Sequence, residues 1–205
     1  MPPAPPLDPD TRRRLDIYAE LLGRWTRRIN LISAADRAQI WPRHIEDSLQ
    51  LAPLIRGTPG RAIDIGSGAG LPGLILAIRT GIHFTLIESD ARKCAFLREA
   101  ARATGAPVSI VNARIEAALV APVRLAPASL VTARALAPLP KLLELAAPLL
   151  CPGGQLLLPK GAGANAELTA AQTQWQMRVQ RHPSATDPAA TILDITGLQR
   201  VRQPD

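Results

Sequence analysis

The run Asp64-Ile65-Gly66-Ser67-Gly68-Ala69-Gly70, which continues an apolar segment opening at Ala62, narrows the folds open to this chain more than any other stretch. Glycine at every second position lets the backbone turn sharply off a strand and approach a ligand closely, where side chains would collide. A strand, a glycine loop and then an apolar helical segment over 71–78 form the opening of a Rossmann-like α/β unit.

The rest of the chain has the texture such a unit requires. Short apolar runs over 62–65, 84–88, 108–111, 129–133 and 155–158 read as strands. Amphipathic segments over 71–78, 91–104, 115–119 and 139–150 read as the helical crossovers between them. A helix over 164–174 then precedes two extended segments, 176–180 and 191–201, suited to an antiparallel hairpin at the sheet edge. The expected fold is therefore α/β, Rossmann-like, with a mostly parallel seven-stranded sheet.

Two helices precede the sheet. From Arg12 to about Asn30, Leu15, Tyr18, Leu22, Trp25 and Ile29 form an apolar stripe, with Arg13, Arg24, Arg27 and Arg28 grouped on the opposite side. A second helix is expected over 37–54, with Trp41, Ile45, Leu49 and Ala52 inward and Arg43, His44, Asp47 and Ser48 towards another face. At 205 residues and 47% hydrophobic, the chain suffices for one sizeable core. The expected organisation is a disordered or extended proline-rich tail over 1–10 and a single domain over 11–205, comprising a helical extension (11–56) and the Rossmann-like core (57–205).

Spacing within the loop separates cofactors. A dinucleotide fingerprint places its third glycine five residues after the first, where this chain has Leu71. The pattern Gly-x-Gly-x-Gly behind an acidic strand end fits S-adenosylmethionine (SAM) instead, with Asp64 balancing the ammonium directly or through water. Glu88, 24 residues further on at the next strand end, can accept both ribose hydroxyls. Neither Cys94 nor Cys151 has metal-ligand spacing with the other or with His44, His83 or His182, so no metal site is expected. His44, Asp47 and Ser48 are the residue types of a hydrolytic triad, but positions i, i+3 and i+4 of one helix cannot align a nucleophile with a supported base.

A formal charge of +7 points to an acidic partner such as nucleic acid. Arginine-rich, alanine- and proline-rich composition also follows from GC-rich coding, so the clustering of Arg24, Arg27 and Arg28 carries more weight than the total. No apolar run is long enough to span a bilayer, and Met1-Pro2-Pro3-Ala4-Pro5-Pro6 lacks the regions of a signal peptide. Cytoplasmic localisation without membrane association is expected.

Several segments together resemble one family, the bacterial 16S ribosomal RNA (guanine-N7) methyltransferases, also called glucose-inhibited division protein B. They are Asn30-Leu31, Arg43-His44-Ile45-Glu46-Asp47-Ser48-Leu49, the glycine loop extended through Leu71-Pro72-Gly73, Arg114-Ile115-Glu116, Arg134-Ala135 and Lys160-Gly161. The resemblance implies a class I SAM-dependent methyltransferase acting on nitrogen-7 of a guanine in 16S rRNA, as free RNA or in the small ribosomal subunit; a monomer is expected. It implies SAM contacts at Gly66, Leu71, Ile115, Glu116 and Arg134. Arg43, His44 and Lys160 join Arg24, Arg27 and Arg28 as candidates for substrate or RNA contact, with Lys160 either binding phosphate or simply solvated. Family members usually end in a longer, more basic strand than the one closing at Arg200-Val201-Arg202, which puts RNA contacts there in question. The alternatives are a methyltransferase of the same fold acting on a small molecule or protein, and a non-catalytic SAM-sensing RNA-binding module.

Overall fold

A computed structural model of the chain describes residues 6–120 and 124–201. The proline-rich stretch over 1–5 lies outside them. Helix α1 (Pro9–Thr26) starts earlier than expected, because Asp8 accepts the Thr11 amide as an N-cap and Pro9 supplies a preset φ at the first turn. It ends at Thr26 rather than near Asn30. Leu15, Tyr18, Leu21 and Leu22 bury its inner face, a contribution of about 1.5–3 kcal/mol for each fully buried large apolar side chain. Arg14 reaches across to the Thr104 and Gly105 carbonyls, where a cation complements the exposed end of another helix.

The expected helix over 37–54 is broken into short pieces. Ala35–Gln39 forms a 3₁₀ turn, Trp41–Glu46 a π-helical turn, α2 (Asp47–Leu49) a single α turn, and Ala52–Leu54 another 3₁₀ turn. Pro42 and Pro53 remove amide donors from an otherwise periodic apolar pattern, so the stripe survives while the regular ladder does not. Ile45 is fully buried, and Trp41, Leu49 and Ala52 pack against the same core as α1.

The remaining elements are β1 (Ala62–Ile65), α3 (Gly73–Thr80), β2 (Phe84–Glu88), α4 (Ala91–Thr104), β3 (Val108–Asn112), β4 (Ala128–Thr132), α5 (Leu139–Ala146), β5 (Leu150–Lys160), α6 (Ala164–Gln172), β6 (Trp175–Pro183) and β7 (Thr191–Arg200). The seven strands lie in the order β3-β2-β1-β4-β5-β7-β6, with β7 alone running opposite to the other six. The helix expected over 115–119 is a 3₁₀ turn, Glu116–Leu119. Strand β5 is longer than expected because Leu150 already pairs with Ala128 ahead of a register shift in which Pro152, Gly153 and Gly154 are accommodated.

Side-chain alternation along the strands divides the interior in two. Phe84 and Leu86 face the layer that holds α1, α3 and α4, and Ile63, Ile65 and Ile87 face the layer of α5 and α6. Helical extension and sheet thus share one continuous apolar cluster on the first side. The order of strands reverses between β1 and β4, so the crevice at their carboxyl ends is the ligand position for a sheet of this kind.

Candidate active site

The glycine loop is built for close approach. Gly66, Gly68 and Gly70 all have positive φ (65°, 54° and 84°), a region most side chains avoid. A Cβ on Gly66 would stand 2.5 Å from Leu136 Cδ1, so the loop and the turn after β4 are in contact over a bare backbone. The loop is tied from below by the Ser67 amide, which donates to the Ile87 carbonyl (3.1 Å), and by the Tyr18 hydroxyl, which donates to the Ala69 carbonyl (2.7 Å).

Glu88 stands where its position at the end of β2 predicts. Its Oε2 accepts from the Gly68 amide and its Oε1 from the Asp90 amide, both at 2.8 Å. Each oxygen keeps a further lone pair, so a buried carboxylate fixed on two sides can still accept two hydroxyl groups. Gly66, Gly68, Glu88, Ile115, Glu116 and Leu136 line one open cleft of about 310 Å³. Five of those six come from the glycine loop, from β2 and from the segment after β3, as a nucleoside lying across the strand ends requires. An apolar wall at Ile87 and Ile115, a carboxylate at Glu88 and a polar rim at Glu116 fit the adenine and ribose of SAM.

Three expected contacts stand elsewhere, Leu71 and Asp64 in the interior and Arg134 on the wall of a neighbouring cavity. The Leu71 side chain belongs to the core cluster shared by α1 and α3, and it is not among the residues lining the cleft. Asp64 is fully buried on the α3 side of β1, its Oδ1 accepting from the Thr132 hydroxyl at 2.6 Å. Gly73 roofs it so closely that an added Cβ would come within 2.5 Å of Asp64 Cβ. Of the two routes expected to a ligand ammonium, direct contact is closed in this structure because strand alternation turns the side chain inward. Burial raises the Asp64 carboxyl to about 6, against the lowering effect of Thr132 and Ser67.

Arg134 follows β4 and gathers the sequence segment Arg43 to Asp47 around it. One terminal nitrogen, Nη2, contacts the Arg43 carbonyl and His44 Nδ1, each at 3.0 Å, and Nε lies 3.4 Å from Asp47 Oδ2. Nη1 is buried without a partner. Burial, and after it the Arg134 charge, holds His44 below the ordinary histidine range, consistent with a neutral ring accepting at Nδ1. Ser48 donates to the His44 carbonyl rather than its ring, so these residues form no triad. Ala135, next to Arg134, has φ of 51°, a left-handed conformation that costs a non-glycine residue about 1–2 kcal/mol.

Ala135 lines a second cavity as well as the first. This one holds about 260 Å³ and is bounded by Arg43, Asp47 and Arg134 on one side, Pro159 and Lys160 at the end of β5, and Thr186 and Asp187 in the β6–β7 turn. Lys160 is not solvated as one reading expected: its Nζ lies 2.6 Å from Glu167 Oε2 and donates to the Ala137 carbonyl at 3.1 Å. Its partner Glu167 also accepts the Leu139 amide, so the pair braces the start of α5. Sequence reasoning misses Leu136, Glu167, Thr186 and Asp187, which come from segments without a local motif.

Arg24, Arg27 and Arg28 line a separate surface hollow with Trp25 and Glu99. Arg28 continues it towards Asp90, Arg92 and Lys93, and Lys93 also borders the cofactor cleft. Cys94 is buried and Cys151 partly so. Among the described residues, no cluster of three His, Cys, Asp or Glu side chains can hold a metal ion. No helix among them is long and apolar enough to cross a membrane.

The strand order and the cleft beside the glycine loop define a class I, SAM-dependent methyltransferase. The chain belongs to the rRNA small subunit methyltransferase G family, whose model matches residues 11–191. It is 54% identical over 193 residues to a ribosomal RNA small subunit methyltransferase G from Gluconobacter oxydans, covering 94% of this chain and 96% of that protein. A protein of the same name from Acidiphilium cryptum is 56% identical over 189 residues, covering 91% and 85%. In fold, the chain is similar to the O-methyltransferase TomG of Streptomyces achromogenes, solved with SAM, at a TM-score of 0.58 and 14% identity, covering 93% of this chain and 91% of that one.

Proposed function

We propose that this enzyme transfers a methyl group from SAM to nitrogen-7 of a guanine in 16S ribosomal RNA. The observation that carries the reading is the pair of cavities at one crevice, with Ala135 on the wall of both, in a chain of this family. SAM, when bound, supplies an electrophilic methyl carbon. Guanine nitrogen-7 offers a free lone pair, so no proton leaves before attack and no general base is required. The protein's residues then act by positioning and by excluding water, which can supply on the order of 7–11 kcal/mol.

Glu88, fixed by the Gly68 amide, holds the ribose side, while Ile115 and Glu116 hold the adenine side. Leu71 supports the loop from the core, and Asp64 acts on the ligand's ammonium through water. Arg134, with one terminal nitrogen unpartnered, can take the cofactor carboxylate or an RNA phosphate. Positive charge moves onto the purine during transfer, and the Asp47 carboxylate on the cavity wall favours that shift. Arg43 is exposed at the mouth of this cavity and His44 fixes Arg134 from behind; Lys160 braces the rim through Glu167.

Exposed Arg24, Arg27 and Arg28 supply a phosphate-binding face. A monomer is favoured by the surface, since Val120 and Val201 are the large apolar residues left exposed among the described residues, and a ribosomal RNA substrate places the enzyme in the cytoplasm. Incubation with methyl-labelled SAM and unmodified 16S RNA or small subunits, followed by digestion to nucleosides, is expected to yield labelled 7-methylguanosine. Label in protein alone, in a small molecule alone, or nowhere would overturn the reading.

A further inference from the structure

The second cavity has walls suited to a purine. Resting on the reading that a guanine is methylated at nitrogen-7, we propose that this cavity receives the base and that Asp187 is the residue that selects guanine.

Position comes first. Ala135 closes one wall and separates the cavity from the cofactor cleft. The β6–β7 turn closes the wall opposite, because Thr191 at the start of β7 pairs with Lys160 at the carboxyl end of β5. In the strand order β4-β5-β7, the two walls are separated by two strand spacings, roughly 10 Å. That is room for one purine ring system with a contact at each edge.

Orientation follows from the chemistry. A guanine presenting nitrogen-7 towards the cofactor cleft directs its Watson–Crick edge at roughly a right angle to that direction, with the 2-amino group turned furthest towards the wall of the turn. That edge carries two adjacent donors, the ring N1–H and the 2-amino group, which a carboxylate accepts side by side. Adenine presents an acceptor nitrogen there, which a carboxylate repels.

Three carboxylates line the cavity, and two of them are ion-paired, Asp47 with Arg134 and Glu167 with Lys160. Asp47 Oδ1 accepts from Gln50 and Thr186 and its Oδ2 faces Arg134. Glu167 Oε2 accepts from Lys160 and the Leu139 amide. Asp187 Oδ1 accepts the Ala189 amide at 2.9 Å, and no described protein group takes its Oδ2.

The turn that presents Asp187 is held in place. Gln50 uses both ends of its amide, donating to Asp47 and Ser184 and accepting from the Ala185 amide at 2.8 Å. The Asp187 amide donates to Ser184 Oγ, and the Ala190 amide to the Asp187 carbonyl. A fixed carboxylate also fits the reaction: as the purine gains positive charge its N1–H becomes more acidic, so the contact strengthens towards the transition state.

The test uses Asp187→Ala and Asp187→Asn in the full chain, with 16S RNA and with the same RNA carrying inosine at the target position, which lacks only the 2-amino group. Asp187→Ala is expected to lower kcat/KM by about 10- to 100-fold, as for a hydrogen bond to a charged group, with SAM affinity unchanged. Inosine is expected to cost the wild-type enzyme about tenfold and the variant almost nothing further. Equal kcat/KM in variant and wild type, or the same inosine penalty in both, overturns the assignment of Asp187. Asp187→Asn keeps the Ala189 contact and decides the matter if the alanine variant does not fold. Absence of 7-methylguanosine from the wild type would remove the functional reading and this inference together, whereas product with an indifferent Asp187 removes only the inference.

Discussion

The Tyr18 hydroxyl donates to the Ala69 carbonyl at 2.7 Å across 51 residues of chain, joining the N-terminal helix to the cofactor loop from inside the core. Burial drives the Tyr18 phenol well above its ordinary range, so it stays a neutral donor at every working pH. Tyr18→Phe keeps the ring contact with Phe96 and leaves a buried carbonyl unpaired. The expected cost is about 1–3 kcal/mol of stability by denaturant unfolding, accompanied by weaker SAM binding in calorimetry. Loss of stability with fully retained SAM affinity would make α1 a scaffold without influence on the loop.

Gly66 is where backbone freedom and the proposed cofactor space coincide. Gly66→Ala forces a side chain into a left-handed conformation, about 1–2 kcal/mol of strain, and drives Leu136 out of its place at 2.5 Å. Leu136 lines the cleft, so its displacement enters the cofactor space. SAM affinity is expected to fall by about tenfold or more, near 1.4 kcal/mol, while the folded state persists in thermal melts. Undiminished affinity by calorimetry would contradict the assignment of the loop.

Asp64 gives the protein a pH-dependent stability of its own. Its carboxyl is raised above the unfolded value of 3.8 to about 6, mainly by burial. The native state holds this proton more tightly than the unfolded chain, so the stabilisation is complete below about pH 3.8 and lost as pH rises through about 6. Asp64→Asn removes the titration. The stability difference between variant and wild type is therefore expected to shift in favour of the variant by up to about 3 kcal/mol between pH 4 and pH 8. A difference that is flat across this range would show that Asp64 titrates normally.

How much of the fold and the site is legible in the sequence depends on range along the chain. β1, β2 and α4 match their expected bounds because local signals mark them, as with Asp90 capping α4 and Gly105 closing it in a left-handed conformation. Gly66 and Glu88 likewise announce themselves, since each lies at a strand end beside its own motif. The break near Pro42 is hidden by an apolar period that continues through non-regular turns. Lys160–Glu167, Arg134–His44 and Gln50–Ala185 are not legible, because their partners meet only once the sheet is assembled. The inward turn of Asp64 is available from alternation along β1, with Ile63 and Ile65 facing the other layer.

The arginine cluster at the carboxyl end of α1 offers a test that separates charge from fold. Arg24, Arg27 and Arg28 are exposed, and the hollow they line contains one carboxylate, Glu99, whose Oε2 already accepts from the Trp25 indole. Replacing the three with alanine takes no apolar side chain of α1 away from the core, so thermal stability is expected to stay close to wild type. If each arginine meets one RNA phosphate, the slope of log affinity against log salt flattens by about 0.7–0.9 for every phosphate no longer neutralised, up to three in all. Binding to 16S RNA measured over a salt series checks this, with SAM affinity as the control. An unchanged slope would show that this cluster is only solvated and would move the RNA-backbone contacts to other cations such as Arg43, Arg134 and the Arg92–Lys93 corner.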